Sequence, residues 1–232
     1  MKEKIYLLPG LMNNEKLWSK IIPFLERDFE LVHIPIPLTK DFNKAVEVLD
    51  TFFKEEKVNL LGFSLGAYLA SFYASTRAQK IKRLFLVAGT PSSLSEAEVR
   101  RRELTLKQMD NLRFKKLSTK NLKALLEKKN QDNQNLLNII EEMFESFTLQ
   151  EYKLQLSSTF NRVDIYKELF ALDIPINFLF SKKDRLLNHK SIEKIQKKHQ
   201  HIILKSLNST SHMLPLEEPE LLSLEIKKWI NR

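Results

Sequence analysis

Short apolar runs alternate with stretches of helical periodicity along most of the chain. The apolar runs cover residues 4–9, 30–36, 58–63, 81–89, 176–181 and 201–207. Helical stretches follow several of them, over residues 43–55, 65–77, 189–199 and 217–231. This alternation is typical of a parallel sheet that helices cover on both faces. The sequence therefore predicts an α/β fold with a mainly parallel sheet of about six strands.

The alternation stops between two of these predicted strands. Residues 91–173 have helical periodicity and no convincing strand pattern. An all-helical segment inserted between two strands of one sheet is typical of a cap that covers the edge of the sheet. We interpret residues 1–90 and 174–232 as an α/β core and residues 91–173 as an inserted helical cap.

Two patterns place helices in this predicted cap. Ser95 and Glu98 have the S-x-x-E spacing of a capping box, which predicts a helix that starts near residue 96. Over residues 132–147, apolar side chains recur at helical spacing and form one face, namely Leu136, Ile139, Ile140, Met143 and Phe147. Such a face either packs against the sheet or lines a pocket for an apolar acyl chain.

Glycine is rare in this chain and concentrated at one place in the predicted fold. All four glycines fall at or just beyond the carboxyl end of a predicted strand, and they are Gly10, Gly62, Gly66 and Gly89. In open α/β sheets ligands bind at that edge. The glycines therefore mark the edge at which we expect the functional site.

Residues 62–66, GFSLG, have the form G-x-S-x-G between a predicted strand and a predicted helix. In this context the pattern indicates a sharp turn that holds a nucleophilic serine clear of the sheet. Gly62 and Gly66 are required because the backbone segments around such a turn come very close together. The following helix directs its amino terminus at Ser64, which favours negative charge there. Ser64 is the predicted nucleophile.

A serine needs a base to take its proton, and His212 is the best candidate. It falls in a polar loop between the last strand and the last helix, NSTSHMLPLEEPE, on the same predicted edge as Ser64. His33 lies inside an apolar run and suits the core or its rim. The other histidines, His189, His199 and His201, lie in or beside a lysine-rich helix and are expected to face solvent.

The base in turn needs a carboxylate that holds its tautomer and stabilises the imidazolium. Asp184 directly follows INFLFSKK, just past the carboxyl end of a predicted strand, and so lies at the same edge as Ser64 and His212. Asp173 precedes that strand and belongs at the opposite edge, while Asp164 lies in the helical segment. We therefore predict Asp184 as the acid.

Together these segments resemble the α/β-hydrolase family along nearly the whole chain. The resemblance is carried by LLPGLMNNEKLW, GFSLGA, FSKKDRLL and SHMLPLEEPE, and by the chain order Ser64, Asp184, His212. It implies a Ser-His-Asp triad, and an oxyanion hole made by the backbone N–H groups of Leu65 and Leu11. It also implies hydrolysis of an ester or thioester through an acyl-enzyme, with no metal or organic cofactor.

The chain departs from the family pattern in three places. Pro9 precedes Gly10 where the family often has a histidine, although the Leu11 amide remains. Ser211 stands before His212 where a glycine is usual. The chain also begins at what would be the third strand of the family, so we expect a six-stranded, all-parallel sheet.

Composition restricts the remaining possibilities. The absence of cysteine excludes disulfides and thiolate metal sites and fits a cytoplasmic protein. No uncharged stretch is long enough to span a membrane. The net charge of +9 indicates either an acidic partner or lysine-rich solvated helix faces, and the scattered lysines favour the second. No basic stretch has the interleaved aromatic residues that bind single-stranded nucleic acids.

Arg100, Arg101 and Arg102 form the densest basic cluster. They either make a solvated face or bind a substrate carboxylate or an acidic acyl carrier protein. The segments PGLMNNEKLW and GFSLGAYLAS resemble the pimeloyl-acyl-carrier-protein methyl ester esterases, which recognise their carrier through basic cap residues. The menaquinone-pathway synthases of this fold, which use the same triad for an elimination, are a second alternative. A non-catalytic hydrolase-fold protein that binds a ligand is the third.

Overall fold

The computed structural model describes residues 2–110, 117–195 and 201–232. Its centre is a six-stranded sheet with the order β2-β1-β3-β4-β5-β6, in which every neighbouring pair is parallel. The strands are β1 (Glu3–Leu8), β2 (Phe29–His33), β3 (Val58–Phe63), β4 (Ile81–Val87), β5 (Ile176–Ser181) and β6 (Ile202–Leu207). The predicted fold class, strand number and strand direction are therefore confirmed.

Helices connect the strands, and most begin or end within a few residues of the predicted positions. Those of the first part of the chain are α1 (Ile22–Leu25), α2 (Phe42–Phe52) and α3 (Leu65–Thr76). Between β4 and β5 lie α4 (Glu96–Asp110), α5 (Thr119–Lys123), α6 (Gln134–Glu145), α7 (Leu149–Ser158) and α8 (Tyr166–Phe170). The last part has α9 (His189–Ile195), α10 (Leu214–Glu217) and α11 (Pro219–Ile230). The helix predicted over residues 189–199 extends in part outside the described residues.

The sheet separates two large hydrophobic clusters. Leu60 and Leu61 are neighbours on β3 and belong to opposite clusters, as the two-residue period of a strand requires. One cluster packs α2, α3, α8 and α9 on the sheet, and Tyr68 is fully buried within it. The other contains Trp18 and Trp229, and it includes side chains of α5 and α6. Both faces of the sheet are therefore covered, which explains why its central strands are apolar on both sides.

The helices between β4 and β5 add a third, smaller cluster. Ser95 and Glu98 form the predicted capping box, since the Glu98 carboxylate accepts from the Ser95 N–H at 2.9 Å and α4 begins at Glu96. The apolar face of α6 packs mainly into the core, through Leu136, Ile140 and Met143. The third cluster comprises Met12, Met109, Phe144, Tyr152 and Leu156. It joins α4, α6 and α7 to the loop after β1. The residue limits of the cap, 91–173, stay a prediction.

In the part of the chain that the structure describes, no helix combines the length and the apolar character needed to cross a lipid bilayer.

Candidate active site

Ser64 occupies a strained turn between β3 and α3. Its φ is +53° and its ψ is −112°, a conformation that residues other than glycine rarely adopt. The backbone N–H of Ser64 donates to the carbonyl oxygen of Val87 at 2.9 Å, which ties the turn to the end of β4. Strain of this kind persists only where the surrounding structure holds it, and it is concentrated at functional sites.

Gly62 and Gly66 allow the turn because they lack a Cβ atom. A Cβ on Gly62 would lie 2.3 Å from the carbonyl oxygen of Gly66, and a Cβ on Gly66 would lie 2.3 Å from that of Pro9. Neither glycine has a positive φ. The pattern G-x-S-x-G therefore reflects close approach between backbone segments, while Ser64 itself takes the strained conformation.

His212 lies between Ser64 and Asp184. Its Nε2 is 3.1 Å from the Ser64 Oγ, and its Nδ1 is 2.6 Å from the Asp184 Oδ2. A carboxylate can only accept hydrogen bonds, so Nδ1 carries the proton and Nε2 is left to accept from the serine hydroxyl. The Asp184 side chain is fully buried, and its Oδ1 accepts from the Leu186 N–H at 2.8 Å. The structure thus brings the three residues selected from the sequence into one hydrogen-bonded line.

The neighbouring strands β5 and β6 explain how Asp184 reaches His212. Beyond the strands, the N–H of Lys182 donates to the carbonyl oxygen of Leu207, and that of Lys183 donates to the carbonyl oxygen of Ser209. The loop that carries Asp184 therefore runs beside the loop that carries His212. The ring of His189 supports the first loop, because its Nε2 lies 2.7 Å from the backbone oxygen of Asp184.

The other candidates from the sequence lie elsewhere. Asp164 accepts hydrogen bonds from Ser93, and Asp173 is exposed before β5. His33 accepts from the indole N–H of Trp18 at 3.2 Å, as its place in an apolar run suggested. His189 was expected to face solvent, which is wrong, since it is half-buried against the loop of Asp184. His199 lies outside the described residues.

The turn that carries Leu11 lies against the turn of the predicted nucleophile. A Cβ on Gly10 would come within 3.0 Å of the Phe63 ring, and a Cβ on Gly66 would lie 2.3 Å from the carbonyl oxygen of Pro9. Leu65 is the first residue of α3, so its N–H has no acceptor within the helix. Beyond Leu11, the N–H of Met12 donates to the buried side chain of Gln155 at 2.9 Å. This contact fixes the loop after β1 to α7.

The loop of His212 is also held by the helical segment. The His212 N–H donates to the carbonyl oxygen of Leu125 at 3.0 Å, and the Glu127 carboxylate accepts from the Ser209 hydroxyl and the Thr210 N–H. These hydrogen bonds from Ser209 and Thr210 lower the pKa of Glu127 to about 2.

A second carboxylate, that of Glu217 on α10, binds the segment that carries Glu127. Glu217 accepts from the N–H of Glu127 and from Asn130 Nδ2, each at 2.8 Å. It also accepts from the hydroxyl of Ser211, the residue that replaces the usual glycine. Burial raises the pKa of Glu217. Sequence reasoning selected neither glutamate, because neither has a local motif.

The basic run at residues 100–102 does not form one surface. Arg100 is 70% exposed and lies 3.7 Å from an exposed Glu96 carboxylate. Arg101 is exposed and donates to the carbonyl oxygen of Arg185 at 3.4 Å. Arg102 points inward and is only 23% exposed. Contact of Arg100, Arg101 and Arg102 with a substrate or a carrier protein stays a prediction.

Among the residues that the structure describes, no three His, Asp or Glu side chains stand close enough together to hold a metal ion.

The comparisons with known proteins agree with this architecture. A family model described as the alpha/beta hydrolase fold matches residues 38–219, which is more than half of the chain. The chain therefore belongs to the α/β-hydrolase fold family, as the resemblance of its motifs implied. No curated protein sequence is significantly similar to it.

Solved structures share the fold over almost the entire chain. An enol-lactonase from Burkholderia xenovorans LB400 has a TM-score of 0.82 and 15% identity, covering 100% of this chain and 92% of its own. A thermophilic esterase from Thermogutta terrifontis has a TM-score of 0.80 and 16% identity, with coverage of 100% and 90%. MenH from S. aureus has a TM-score of 0.79 and 17% identity, with coverage of 99% and 93%. At these identities the likeness shows the fold alone.

Proposed function

We propose that this protein is a serine hydrolase that cleaves a carboxylic ester through an acyl-enzyme. The observation that carries the proposal is the hydrogen-bonded line from Ser64 through His212 to Asp184, with distances of 3.1 and 2.6 Å. A nucleophile, a base and a group that orients the base are the parts that acyl transfer requires. The esterase and the enol-lactonase among the structural neighbours support the same class of reaction.

In this proposal each residue has a step. Ser64 Oγ attacks the ester carbonyl carbon while His212 Nε2 takes the hydroxyl proton. The resulting oxyanion accepts hydrogen bonds from the N–H groups of Leu65 and Leu11. As the intermediate collapses, the bond to the alcohol oxygen breaks and His212 returns the proton to that oxygen. Asp184 keeps the proton on Nδ1 and stabilises the imidazolium that forms.

Water completes the cycle by the same route. His212 takes a proton from a water molecule, whose oxygen attacks the acyl carbon. The bond to Ser64 Oγ breaks, the serine recovers its proton from His212, and the carboxylic acid leaves. The chemistry of both halves is supplied by side chains and backbone amides of this chain.

Labelling with a fluorophosphonate, together with assays on p-nitrophenyl esters of increasing acyl length, tests the proposal. We expect the wild type to be labelled and to hydrolyse esters with an optimum of acyl length. Ser64→Ala and His212→Ala should lose turnover, and Ser64→Ala should lose labelling. Ser75→Ala is the matched control, since Ser75 lies on α3 and donates only to the carbonyl oxygen of Phe72.

The outcomes separate the alternatives. A folded wild type that is neither labelled nor active on any ester would overturn the proposal and favour a ligand-binding protein. Labelling at Ser64 without hydrolysis of any ester would instead favour a lyase that uses the same residues for an elimination.

A further inference from the structure

The loop after β1 makes a tight turn whose third residue takes a strained conformation. The N–H of Asn13 donates to the carbonyl oxygen of Gly10 at 3.2 Å, so residues 10–13 form a β-turn. Met12, the third residue, has a φ of +56°, close to the +53° of Ser64. A positive φ at that position is typical of a type II turn, which normally has glycine or asparagine there. Methionine has no such tolerance, so another contact must hold its conformation.

The side chain of Gln155, on α7, supplies that contact. Its Oε1 accepts from the Met12 N–H at 2.9 Å, and the two residues are buried, with 2% and 4% of their surface exposed. A backbone N–H can only donate, so the amide oxygen of Gln155 faces the turn and the amide nitrogen does not. This hydrogen bond is costly to remove, because the buried N–H would be left without a partner.

The same hydrogen bond selects one of two forms of the turn. Types I and II differ mainly by a half-turn rotation of the central peptide group, which here joins Leu11 to Met12. The rotation reverses the direction of the Met12 N–H and changes the sign of the Met12 φ. Since the type I form has a negative φ at its third residue, it is unstrained for methionine, and loss of the Gln155 acceptor should favour it. Gln155 therefore holds the strained form.

The turn carries a backbone donor that the proposed mechanism uses. Leu11 is its second residue, and among the residues that the structure describes none accepts a hydrogen bond from the Leu11 N–H. Gly10 lies so near Phe63, the residue before Ser64, that a Cβ on Gly10 would be 3.0 Å from the ring. A change in the form of the turn would therefore disturb the Leu11 N–H close to the proposed nucleophile.

The other contacts between this loop and the helices that follow β4 are exposed. The Asn14 Nδ2 donates to the Ser146 Oγ at 3.0 Å. The Lys16 Nζ lies 2.7 Å from the Glu142 Oε2, and these side chains are 48% and 55% exposed. Water can replace such an ion pair at little cost. The contact of Gln155 differs because it is buried and ends on the turn itself.

We propose that Gln155 is a positioning residue that sets the oxyanion hole by fixing the turn that carries the Leu11 N–H. This inference rests on the proposed function, since an oxyanion forms only if Ser64 attacks a carbonyl group. Gln155 lies on a helix between β4 and β5, so the oxyanion hole depends on a residue outside the strands and loops that carry the triad. Sequence reasoning did not select it.

Steady-state kinetics on the preferred p-nitrophenyl ester test the proposal with three variants. Gln155→Met removes the acceptor and keeps the length of the side chain, while Gln155→Asn shortens the side chain by one methylene group. Both should lower kcat by on the order of 10- to 100-fold and change KM by less than about 3-fold, because an oxyanion forms only on the way through the transition state. Gln155→Glu keeps an oxygen that accepts from the Met12 N–H in either protonation state, and it should recover most of kcat.

The matched control is Glu142→Gln, which weakens the exposed contact to Lys16 and should leave kcat and KM unchanged. A second readout is inhibition by a trifluoromethyl ketone. The Ser64 Oγ adds to its carbonyl carbon, the hydroxyl proton passes to His212, and the carbonyl oxygen becomes the oxyanion. The inhibition constant should therefore rise in Gln155→Met and Gln155→Asn by the factor by which kcat/KM falls.

Thermal melting shows which variants are folded, and if Gln155→Met is not, Gln155→Asn decides the question. An unchanged kcat in a folded variant without the acceptor would overturn the inference and leave the proposed function intact. A loss that appears only as a higher KM, with an unchanged inhibition constant, would do the same.

Amide hydrogen exchange separates this inference from the proposed function if the wild type hydrolyses no ester. Faster exchange of the Met12 N–H in Gln155→Asn than in the wild type would then support the positioning of the turn, although the hydrolase proposal would fail. Equal exchange in the two proteins would overturn the positioning of the turn as well.

Discussion

The Glu127 side chain binds the segment that leads to Glu217, and the Glu217 side chain binds the backbone of Glu127 in return. The Glu127 carboxylate binds the loop before His212 through Ser209 and Thr210, and the Glu217 carboxylate accepts the N–H of Glu127 at 2.8 Å. Glu127 lies among the helices between β4 and β5, whereas Glu217 lies on α10. The loop of the proposed base is therefore hydrogen-bonded from both sides to the helical segment between β4 and β5.

Removing the Glu127 carboxylate should impair activity although Glu127 is not a reacting group. Glu127→Ala should lower kcat/KM by about 10-fold, because small displacements of a base from its nucleophile are costly. Fluorophosphonate labelling of Ser64 should slow in parallel. Glu218→Ala is the control, since among the described residues the Glu218 side chain contacts Lys129 alone, in a long ion pair of 3.8 Å. Equal rates in wild type and Glu127→Ala would show that the contact does not position His212.

The Glu127 carboxylate should make the free energy of unfolding depend on pH. The pKa of Glu127 is lowered from an ordinary 4.5 to about 2 by its hydrogen bonds, first that from Ser209. Between these values the unfolded chain binds more protons than the folded chain. The stabilisation is therefore fully present above about pH 4.5 and is lost as the pH falls towards about 2.

Urea unfolding of wild type and Glu127→Ala at several pH values tests this sign. The difference in unfolding free energy between the two proteins should shrink as the pH decreases from about 5.5 to about 3. Burial raises the pKa of Glu217, so its titration affects stability at higher pH, and comparing variant with wild type removes most of that contribution. A difference that stays constant or grows at low pH would contradict the assignment.

The parts of the site that the sequence predicts are those with a local signature. Ser64 stands in a motif between strand and helix, and Asp184 and His212 each follow a short apolar run. Because parallel strands end at the same edge of a sheet, three local patterns were enough to place three side chains together.

The other residues of the candidate site are placed by contacts between segments that are distant in the sequence. Glu127 reaches Thr210, and Gln155 reaches Met12, across long stretches of sequence with no spacing rule. The basic run at residues 100–102 also shows that charges adjacent in the sequence need not lie on one surface of the structure. Consecutive residues of a helix point in different directions, so Arg102 faces inward while Arg100 faces solvent.

The proposed acid, Asp184, should be required for the rate but not for the fold. Asp184→Asn can place its amide nitrogen against His212 Nδ1 and so favour the wrong tautomer, which should reduce kcat by on the order of 10³- to 10⁴-fold. Steady-state assays on the preferred p-nitrophenyl ester measure this loss. The control is Asp173→Asn, an exposed aspartate before the same strand, which should leave kcat unchanged. A loss below about 10-fold in Asp184→Asn would remove Asp184 from the mechanism.

The turn at Ser64 should tolerate a methyl group at Gly10 far better than at Gly66. A Cβ on Gly66 would meet the backbone oxygens of Pro9 and Leu8 at 2.3 and 2.4 Å. Neither can move without shifting β1. We therefore expect Gly66→Ala to lower the free energy of unfolding by at least about 2–3 kcal/mol, measured by urea denaturation.

Gly10→Ala provides the matched comparison, because the nearest atom to its Cβ would be the Asn13 Oδ1 at 2.7 Å. That atom ends a side chain that can rotate away, whereas the buried Phe63 ring, at 3.0 Å, must shift by a small amount. The loss of stability should therefore be about 1 kcal/mol and smaller than that of Gly66→Ala. Gly66→Ala should also lose labelling at Ser64 even under conditions where it remains folded, since relieving the clash with Pro9 and Leu8 would shift the turn that carries Ser64. Similar stabilities for the two variants would mean that β1 and α3 separate easily, and the turn at Ser64 would then owe its shape to other contacts.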